Sequence, residues 1–175
     1  LVRDALRNMS EPIAAADILV LGVSYREDVG DTRYSGVELM IRRLAEMGAS
    51  IRVHDPYVHS WSEFEELPHG EEPHSGIARF FSRQQSLQGL KTQKDLWAAL
   101  RGVKAIVLAV RHKEYLSLDP DQVFQAVGKP FAIVDCFCIL DDRQIRRYLE
   151  LGCEVKGMGR GHIKRIKESI RGRDK

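Results

Sequence analysis

The sequence predicts an α/β fold: a Rossmann-like, doubly wound and mainly parallel sheet of about five or six strands, with helices on both faces. Short apolar runs alternate along the chain with segments of helical periodicity, which is the pattern of parallel strands joined by helices. The clearest unit is 18–57, where ILVLGV precedes a charged loop, an amphipathic helix and a strand that ends in Asp-Pro-Tyr. We therefore expect a right-handed β–α–β crossover there.

The remaining elements follow from the same patterns. A helix is predicted at 36–48, because its apolar residues recur at i, i+3, i+4 and i+7 before a closing glycine. Residues 1–9 have helical spacing, 18–23 is predicted as an apolar strand, and 50–54 is predicted as the next strand. Further along, we expect helices at 94–100, 119–127 and 141–151, and strands at 105–110, 131–134 and 153–156.

The predicted domain organisation comes from composition. Residues 1–16 are interpreted as the end of a linker or central helix, and 17–175 as one domain. Within that domain, 58–90 is rich in His, Glu, Ser, Gly and Pro, so we interpret it as a variable excursion with some helix at 77–83.

Bulk properties narrow the possible functions. A net charge of +2 over 175 residues gives no reason to expect nucleic-acid binding. No apolar run approaches the roughly 20 residues of a membrane span, and the first residues do not resemble a signal peptide.

The cysteines and histidines give no sign of a metal site. The three cysteines lack the spacing of a zinc finger and the histidines are irregularly placed, which favours a reduced cytoplasmic protein. The basic stretch 156–175 is either a phosphate-binding tail or a solvated helix end.

The loop 24–36 after the first strand carries two arginines and three carboxylates. Open α/β sheets bind ligands at the carboxyl ends of their strands, so this loop is the first candidate site. Guanidinium groups pair well with phosphate oxygens, which predicts an anionic ligand, most simply a phosphate ester.

The segment VLGVSYREDVGDTRYSG resembles the motif that opens the carboxyl-terminal domain of the UDP-glucose/GDP-mannose dehydrogenases. That motif is a strand, Gly, an aromatic-Lys pair, an Asp, and then Asp-Thr-Arg-x-Ser. VHDPYV, AIVLAVRHKEY, and IVDCFCILDD followed by GCEVKGMGRG agree with the family in order. The resemblance implies that 17–175 is a nucleotide-sugar-binding domain and that the protein takes part in polysaccharide biosynthesis.

The resemblance also implies an enzyme with three parts. An amino-terminal Rossmann domain binds NAD, a central helix forms a homodimer, and the carboxyl-terminal domain closes over the UDP-sugar. The sugar alcohol is oxidised to a carboxylate in two hydride transfers through a cysteine thioester. This chain resembles the third part only, so its partner would be an amino-terminal NAD and catalytic domain, in cis or in trans.

Three site residues in the first loop follow from the resemblance. Tyr25 and Arg26 match the aromatic-Lys pair that contacts the nucleotide sugar, although Arg26 replaces the usual lysine. The plainer alternative for Arg26 is an exposed loop arginine. Arg33 matches an arginine that contacts NAD bound on the other domain. Asp31 and Thr32 are expected to shape this loop and cap the following helix.

A late arginine of the family touches the substrate, and Arg165 is its counterpart here. The match requires a gap, so Arg160 and Lys164 remain alternatives. Asp55 is interpreted as a turn residue, and His112 equally as a turn residue or a ligand.

Several family features are absent from the sequence. The first strand lacks a following G-x-G-x-x-G, and no Gly-Gly-x-Cys-x-Pro-like segment supplies a nucleophile. Where the family usually has an arginine after Asp135, this chain has Cys136-Phe137. We interpret Cys136 and Cys138 as structural thiols buried at a strand end, and we expect no catalytic residue here. Alone, the chain should be inactive.

Two functions remain open. The leading one is the UDP-sugar-binding domain of an NAD-dependent nucleotide-sugar 6-dehydrogenase. The alternative is a free-standing, non-catalytic nucleotide-binding or protein-interaction module.

Overall fold

The strands of the described residues form one parallel sheet. The protein is represented by a computed structural model, and the structure describes residues 1–61, 64, 87 and 89–172. Within these residues the sheet has six strands in the order β3-β2-β1-β4-β5-β6. They are β1 (Asp17–Leu21), β2 (Ser50–His54), β3 (Thr92–Gln93), β4 (Ala105–Leu108), β5 (Ala132–Asp135) and β6 (Glu154–Gly157).

Side chains of successive strand residues point to opposite faces, and each face is covered by helices. Ile18 and Val20 of β1 belong to the core beneath α1 and α2, whereas Leu19 and Leu21 belong to the core on the other side. The helices are α1 (Val2–Asn8), α2 (Gly36–Glu46), α3 (Leu96–Leu100), α4 (Lys113–Leu116), α5 (Pro120–Val127), α6 (Asp142–Glu150) and α7 (His162–Arg171).

The order of the strands determines where a ligand site can form. From β1 the chain adds β2 and β3 on one side, then returns to add β4, β5 and β6 on the other. The strand order therefore reverses between β1 and β4, and open α/β sheets bind ligands at the carboxyl ends of the strands at such a switch point. Val20 pairs in register with Val53 of β2 and Val107 of β4, so the loops after these three strands start at one rim.

The predicted fold class is confirmed, and most boundaries agree within about two residues. The strand at Ser50–His54 matches its prediction at both ends. Asp119 caps α5 by accepting the N–H of Gln122 at 3.0 Å, and Gly128 ends that helix with a φ of 83°. The two-residue β3 and the one-turn α4 were not predicted. The predicted helical turn at 77–83 lies outside the described residues.

The basic carboxyl-terminal stretch is largely helical, because α7 occupies His162–Arg171. Among the residues that the structure describes, no helix has the length and apolarity required to cross a membrane.

Candidate functional site

The loop after β1 begins with a glycine that the packing requires. Gly22 has a φ of +90°, and a Cβ placed on it would lie 2.5 Å from Val110 Cβ, just beyond β4. Its N–H donates to the carbonyl of His54 at 2.9 Å. The chain therefore leaves β1 in close contact with the residues that follow both neighbouring strands.

The buried carboxylate of Asp55 holds the first residues of this loop. Asp55 Oδ2 accepts the N–H groups of Val23 at 2.8 Å and Ser24 at 3.2 Å. Its Oδ1 accepts the N–H groups of Tyr57 at 2.8 Å and Val58 at 3.1 Å. The turn predicted for Asp55 is present, and the same carboxylate also ties the loop after β1 to the loop after β2.

The imidazole of His112 links this loop to the end of β4. His112 is fully buried, with its Nε2 3.0 Å from Asp55 Oδ2 and its Nδ1 accepting the N–H of Asp28 at 2.9 Å. Asp28 Oδ1 accepts the N–H of Lys113 at 3.1 Å in return. The loop of 22–35 is thus attached to the loops after both β2 and β4.

Ser24, His112 and Asp55 resemble a catalytic triad in composition but not in geometry. A triad requires the serine and the carboxylate on opposite ring nitrogens. Here Ser24 Oγ, at 3.3 Å, and Asp55 Oδ2 both face Nε2. Ser24 Oγ is buried and donates to the carbonyl of Arg26 at 2.8 Å. The cluster therefore supports the loop and is not a nucleophilic site.

Burial of Asp55 acts to raise the pKa of its carboxyl, but hydrogen bonds from His112 and from the N–H groups of Val23 and Tyr57 outweigh burial and lower that pKa. The carboxylate is therefore ionised at neutral pH. Burial also lowers the pKa of His54, whose Nδ1 lies 2.9 Å from the hydroxyl of Tyr115.

The loop presents Tyr25 and Arg26 to solvent. Tyr25 is 48% exposed, and the guanidinium carbon of Arg26 lies 5.3 Å from the centre of its ring. Arg26 is exposed and forms no ion pair with any described residue. Its backbone is nonetheless fixed on both sides, because Ser24 and Asp28 are hydrogen-bonded to the rim.

Arg33 lies in the same loop, but Asp31 engages its guanidinium. Arg33 Nη2 is 2.7 Å from Asp31 Oδ2, and Nε is 3.0 Å from Oδ1. This side-chain pairing, together with the Arg33 N–H, lowers the pKa of Asp31 to about 2. Arg33 remains 79% exposed, so its outer edge faces solvent.

Asp31 shapes the loop as predicted, but the capping prediction was wrong. The N-cap of α2 is Ser35, whose hydroxyl accepts the N–H of Val37 at 3.3 Å and donates to the carbonyl of Ser24 at 3.2 Å. Thr32 is buried three residues before the cap.

The three late cations are placed differently from one another. Arg165 is exposed on α7, after the edge strand β6, and three strand spacings of about 4.8 Å each separate β6 from β1. Arg160 is buried against Asp135, with Nη1 2.8 Å from Oδ2. Lys164 is exposed and lies 3.9 Å from Glu168. The structure therefore does not bring any of them close to Arg26.

The end of β5 is organised by Asp135 as the end of β2 is by Asp55. Asp135 accepts the N–H groups of Phe137 at 3.1 Å, Ile139 at 3.0 Å and Leu140 at 3.1 Å. Phe137 is 55% exposed at the rim. This rim therefore presents an aromatic ring where the resemblance leads us to expect an arginine.

The strand-end interpretation of the cysteines was wrong in part. Strand β5 ends at Asp135, so both thiols lie in the loop beyond it, and Cys138 is exposed with a φ of 55°. Cys136 is half-buried, and burial raises the pKa of its thiol, which disfavours the thiolate needed for nucleophilic attack.

Comparison with known proteins identifies the family of this chain. A family model described as the UDP-binding domain of the UDP-glucose/GDP-mannose dehydrogenase family matches residues 19–142. The chain belongs to the UDP-glucose/GDP-mannose dehydrogenase family. It corresponds to the UDP-binding, carboxyl-terminal domain, as the sequence motifs predicted. Tyr25, Arg26 and Arg33 lie inside the matched segment, whereas Arg165 lies outside it.

Individual relatives agree with this assignment. The chain is 23% identical over 155 residues to a UDP-glucose 6-dehydrogenase of Drosophila melanogaster, covering 89% of this chain and 30% of that protein. It is 29% identical over 142 residues to a UDP-glucose 6-dehydrogenase of Caenorhabditis elegans, covering 81% of this chain and 27% of that protein. The chain thus spans less than a third of these relatives.

Solved structures show the same fold. An NDP-N-acetyl-D-galactosaminuronic acid dehydrogenase from Methanosarcina mazei superimposes with a TM-score of 0.70 at 22% identity, over 89% of this chain and 27% of its own. A UDP-D-ManNAc dehydrogenase from Pyrococcus horikoshii superimposes with a TM-score of 0.64 at 22% identity, over 90% and 29%.

Two features of this family member were not predicted from its sequence. The first is the pair of His112 with Asp55, whose positions are 57 residues apart. The second is Arg160, which supplies a cation to the end of β5 from the loop before α7. The only sequence signal for either was a polar residue that directly follows a buried strand, as in VHDPY and VDCF.

Proposed function

We propose that this chain binds a UDP-sugar at the rim formed by the loops after β1, β2 and β4. It would act as the nucleotide-sugar half of an NAD-dependent UDP-sugar 6-dehydrogenase site. The amino-terminal domain that completes the site would hold NAD and the cysteine nucleophile. The observation that carries the proposal is the exposed guanidinium of Arg26 on a loop anchored at both neighbouring strands.

Arg26 has the properties of a phosphate ligand. Its planar fork donates two parallel hydrogen bonds to phosphate oxygens, and no carboxylate of the described residues competes for it. The ring of Tyr25 lies beside the guanidinium, which favours one orientation of a side chain that is otherwise free to rotate. Because the backbone is already fixed, little ordering remains to oppose ligand binding.

Arg33 and Arg165 have subsidiary roles in this proposal. Arg33 retains an exposed edge although Asp31 neutralises it in part, so it would contact NAD across the gap to the other domain. Arg165 would reach the sugar end of a ligand that extends along the rim from β1 towards β6.

NAD itself does not fit the loop as a primary site. The loop continues from Gly22 as Val23, Ser24 and Tyr25, so it lacks the further glycines with which a dinucleotide-binding loop brings bare backbone to the pyrophosphate. NAD held by the other domain would supply the hydride acceptor. The contribution of this chain is to bind and orient the nucleotide.

The test is calorimetric titration of the chain with UDP, UDP-glucose and inorganic phosphate. We expect both nucleotides to bind at least about tenfold more tightly than phosphate, and Arg26→Gln to weaken UDP binding by about tenfold or more. Arg43→Gln is the matched control, because Arg43 is an exposed arginine on α2 that pairs with Glu46. Equal binding of UDP and phosphate, or equal effects of the two variants, would overturn the proposal.

A second measurement separates the enzyme from the free-standing module. If the chain completes a dehydrogenase, adding an amino-terminal domain of the family should produce UDP-sugar-dependent reduction of NAD. If the chain binds UDP tightly but no amino-terminal domain of the family from the same genome gives UDP-sugar-dependent reduction of NAD with it, the binding module is favoured.

A further inference from the structure

We infer that His112 is a positioning residue for the loop of residues 22–35, called the nucleotide loop below, and that it acts as a neutral imidazole whose Nδ1 holds the backbone of Asp28. The inference rests on the proposed function in assigning UDP as the ligand that the loop serves. His112 does not reach solvent, so its effect on a ligand must pass through the loop.

The hydrogen-bond partners of His112 define its tautomer. The N–H of Asp28 has a proton to donate, and it points at Nδ1 over 2.9 Å, so Nδ1 must carry the lone pair. The ring proton is therefore on Nε2, which lies 3.0 Å from the ionised carboxylate of Asp55. Each nitrogen has a different function. The Nε2–H group donates to the carboxylate of Asp55, and Nδ1 accepts the backbone N–H of Asp28.

The ring is also held in place by its neighbours. The ring centre of Tyr57 lies 5.1 Å from that of His112, and the ring centre of Tyr115 lies 5.6 Å away on the helix that follows. The imidazole therefore has a defined orientation before any ligand arrives, as a positioning group requires.

The residue that His112 holds has an unfavourable backbone conformation. Asp28 has a φ of 58°, in the left-handed region that costs a residue with a Cβ about 1 kcal/mol or more. In this conformation its N–H donates to His112 and its carboxylate accepts the N–H of Lys113, and both bonds help to offset that cost. Loss of the Nδ1 acceptor would release Asp28 and, two residues earlier, the backbone of Arg26.

Two substitutions separate the functions of the two nitrogens. In His112→Asn the amide oxygen lies near the position of Nδ1 and still accepts the Asp28 N–H, whereas in His112→Gln the amide nitrogen replaces Nε2–H and the acceptor is lost. We expect His112→Asn to retain UDP affinity within about threefold and His112→Gln to lose about tenfold. Equal losses in the two variants would overturn the inference.

A readout that needs no ligand makes failure of this inference distinguishable from failure of the proposed function. Ring ¹⁵N chemical shifts should show the neutral tautomer with the proton on Nε2, and the Asp28 amide should be protected from hydrogen exchange. We expect His112→Gln to lose that protection and His112→Asn to keep it. A proton on Nδ1, or an Asp28 amide that exchanges freely in the wild type, would refute the positioning role even if UDP binds.

If these signatures are present but the wild type does not bind UDP, the proposed function fails and the assignment of the loop's ligand fails with it. The hydrogen bond from Asp28 to His112 would then be a structural feature of the loop without a role in binding UDP.

Discussion

Arg160 donates to the carboxylate of Asp135 with 2.8 Å between Nη1 and Oδ2, and both side chains are almost completely buried. The same Nη1 donates to the carbonyl of Leu140 at 2.6 Å. A loop after β6 is thereby attached to the end of β5 and to the loop that precedes α6. This cation is committed to an ion pair within the chain, whereas Arg26, on the other side of the switch point, is exposed and pairs with no carboxylate of the described residues.

Removal of Arg160 should destabilise the fold. We expect Arg160→Met to lower the free energy of unfolding by about 3 kcal/mol, because it leaves the buried Asp135 carboxylate without its counter-ion. The measurement is urea unfolding followed by circular dichroism. Arg165→Met is the matched control, since Arg165 is exposed nearby and should change stability by less than about 0.5 kcal/mol. Similar losses in both variants would show that the ion pair contributes little.

Gly30 in the nucleotide loop and Gly36 at the start of the following helix should respond in opposite ways to replacement by alanine. A Cβ on Gly30 would lie 2.6 Å from the carbonyl oxygen of Tyr57, whereas a Cβ on Gly36 would meet no atom within 4 Å. We expect Gly30→Ala to displace the loop and lower stability by about 1–3 kcal/mol. Gly36→Ala, at the start of α2, should be neutral or stabilising by up to about 1 kcal/mol.

Thermal unfolding of both variants, with UDP titration at a temperature where both are folded, provides the test. Gly30→Ala should weaken UDP binding along with stability, whereas Gly36→Ala should leave it unchanged. A destabilised Gly30→Ala that binds UDP normally would show that the contact with Tyr57 does not determine the ligand-binding shape of the loop.

The depressed pKa of Asp55 predicts a specific dependence of stability on acid. A carboxyl whose pKa is lower in the folded state stabilises the fold above its unfolded pKa of about 3.9. That contribution is lost as the pH falls through the lower, folded pKa. Asp55→Asn should therefore show a flatter decline of stability below about pH 4 than the wild type. At pH 7 it should be less stable by about 2 kcal/mol, because its amide nitrogen faces N–H donors.

Asp119→Asn is the control for that experiment, because an exposed asparagine caps a helix about as well as aspartate. It should keep both the stability at neutral pH and the acid slope of the wild type. Parallel acid profiles for wild type and Asp55→Asn would mean that other carboxyls account for the acid sensitivity.

The sequence was sufficient for elements with strong local patterns and insufficient for those without them. Strand β2 was predicted at both ends, because a glycine and an Asp-Pro pair delimit its apolar residues. Strand β3 has only Thr92 and Gln93, neither of them apolar, so periodicity has nothing to detect. Helix α7 does space Ile163, Ile166 and Ile170 along one face, but its many charges obscured that signal.

The candidate site was predictable only as a loop. Arg26 and its position after β1 follow from the sequence, because a polar loop after a buried strand is a local feature. The pair of His112 and Asp55 depends on β4 and β2 both flanking β1, which is a property of strand order. Residue spacing gives no information on which distant strand ends become neighbours, so the groups that hold the loop were not foreseen.

Ser35 should couple the stability of α2 to the shape of the nucleotide loop. Its hydroxyl accepts the N–H of Val37 and donates to the carbonyl of Ser24, so Ser35→Ala removes a helix cap and leaves a buried carbonyl with one partner fewer. We expect a loss of about 1–2 kcal/mol in unfolding free energy and a weaker affinity for UDP. Ser117→Ala is the control, because that exposed hydroxyl makes only a long 3.4 Å contact, with the carbonyl of Glu114, among the described residues. If Ser35→Ala loses stability while UDP affinity stays at the wild-type value, the start of α2 is independent of the loop, and the other bonds of the loop, including those to Asp55 and His112, hold Arg26 in position without it.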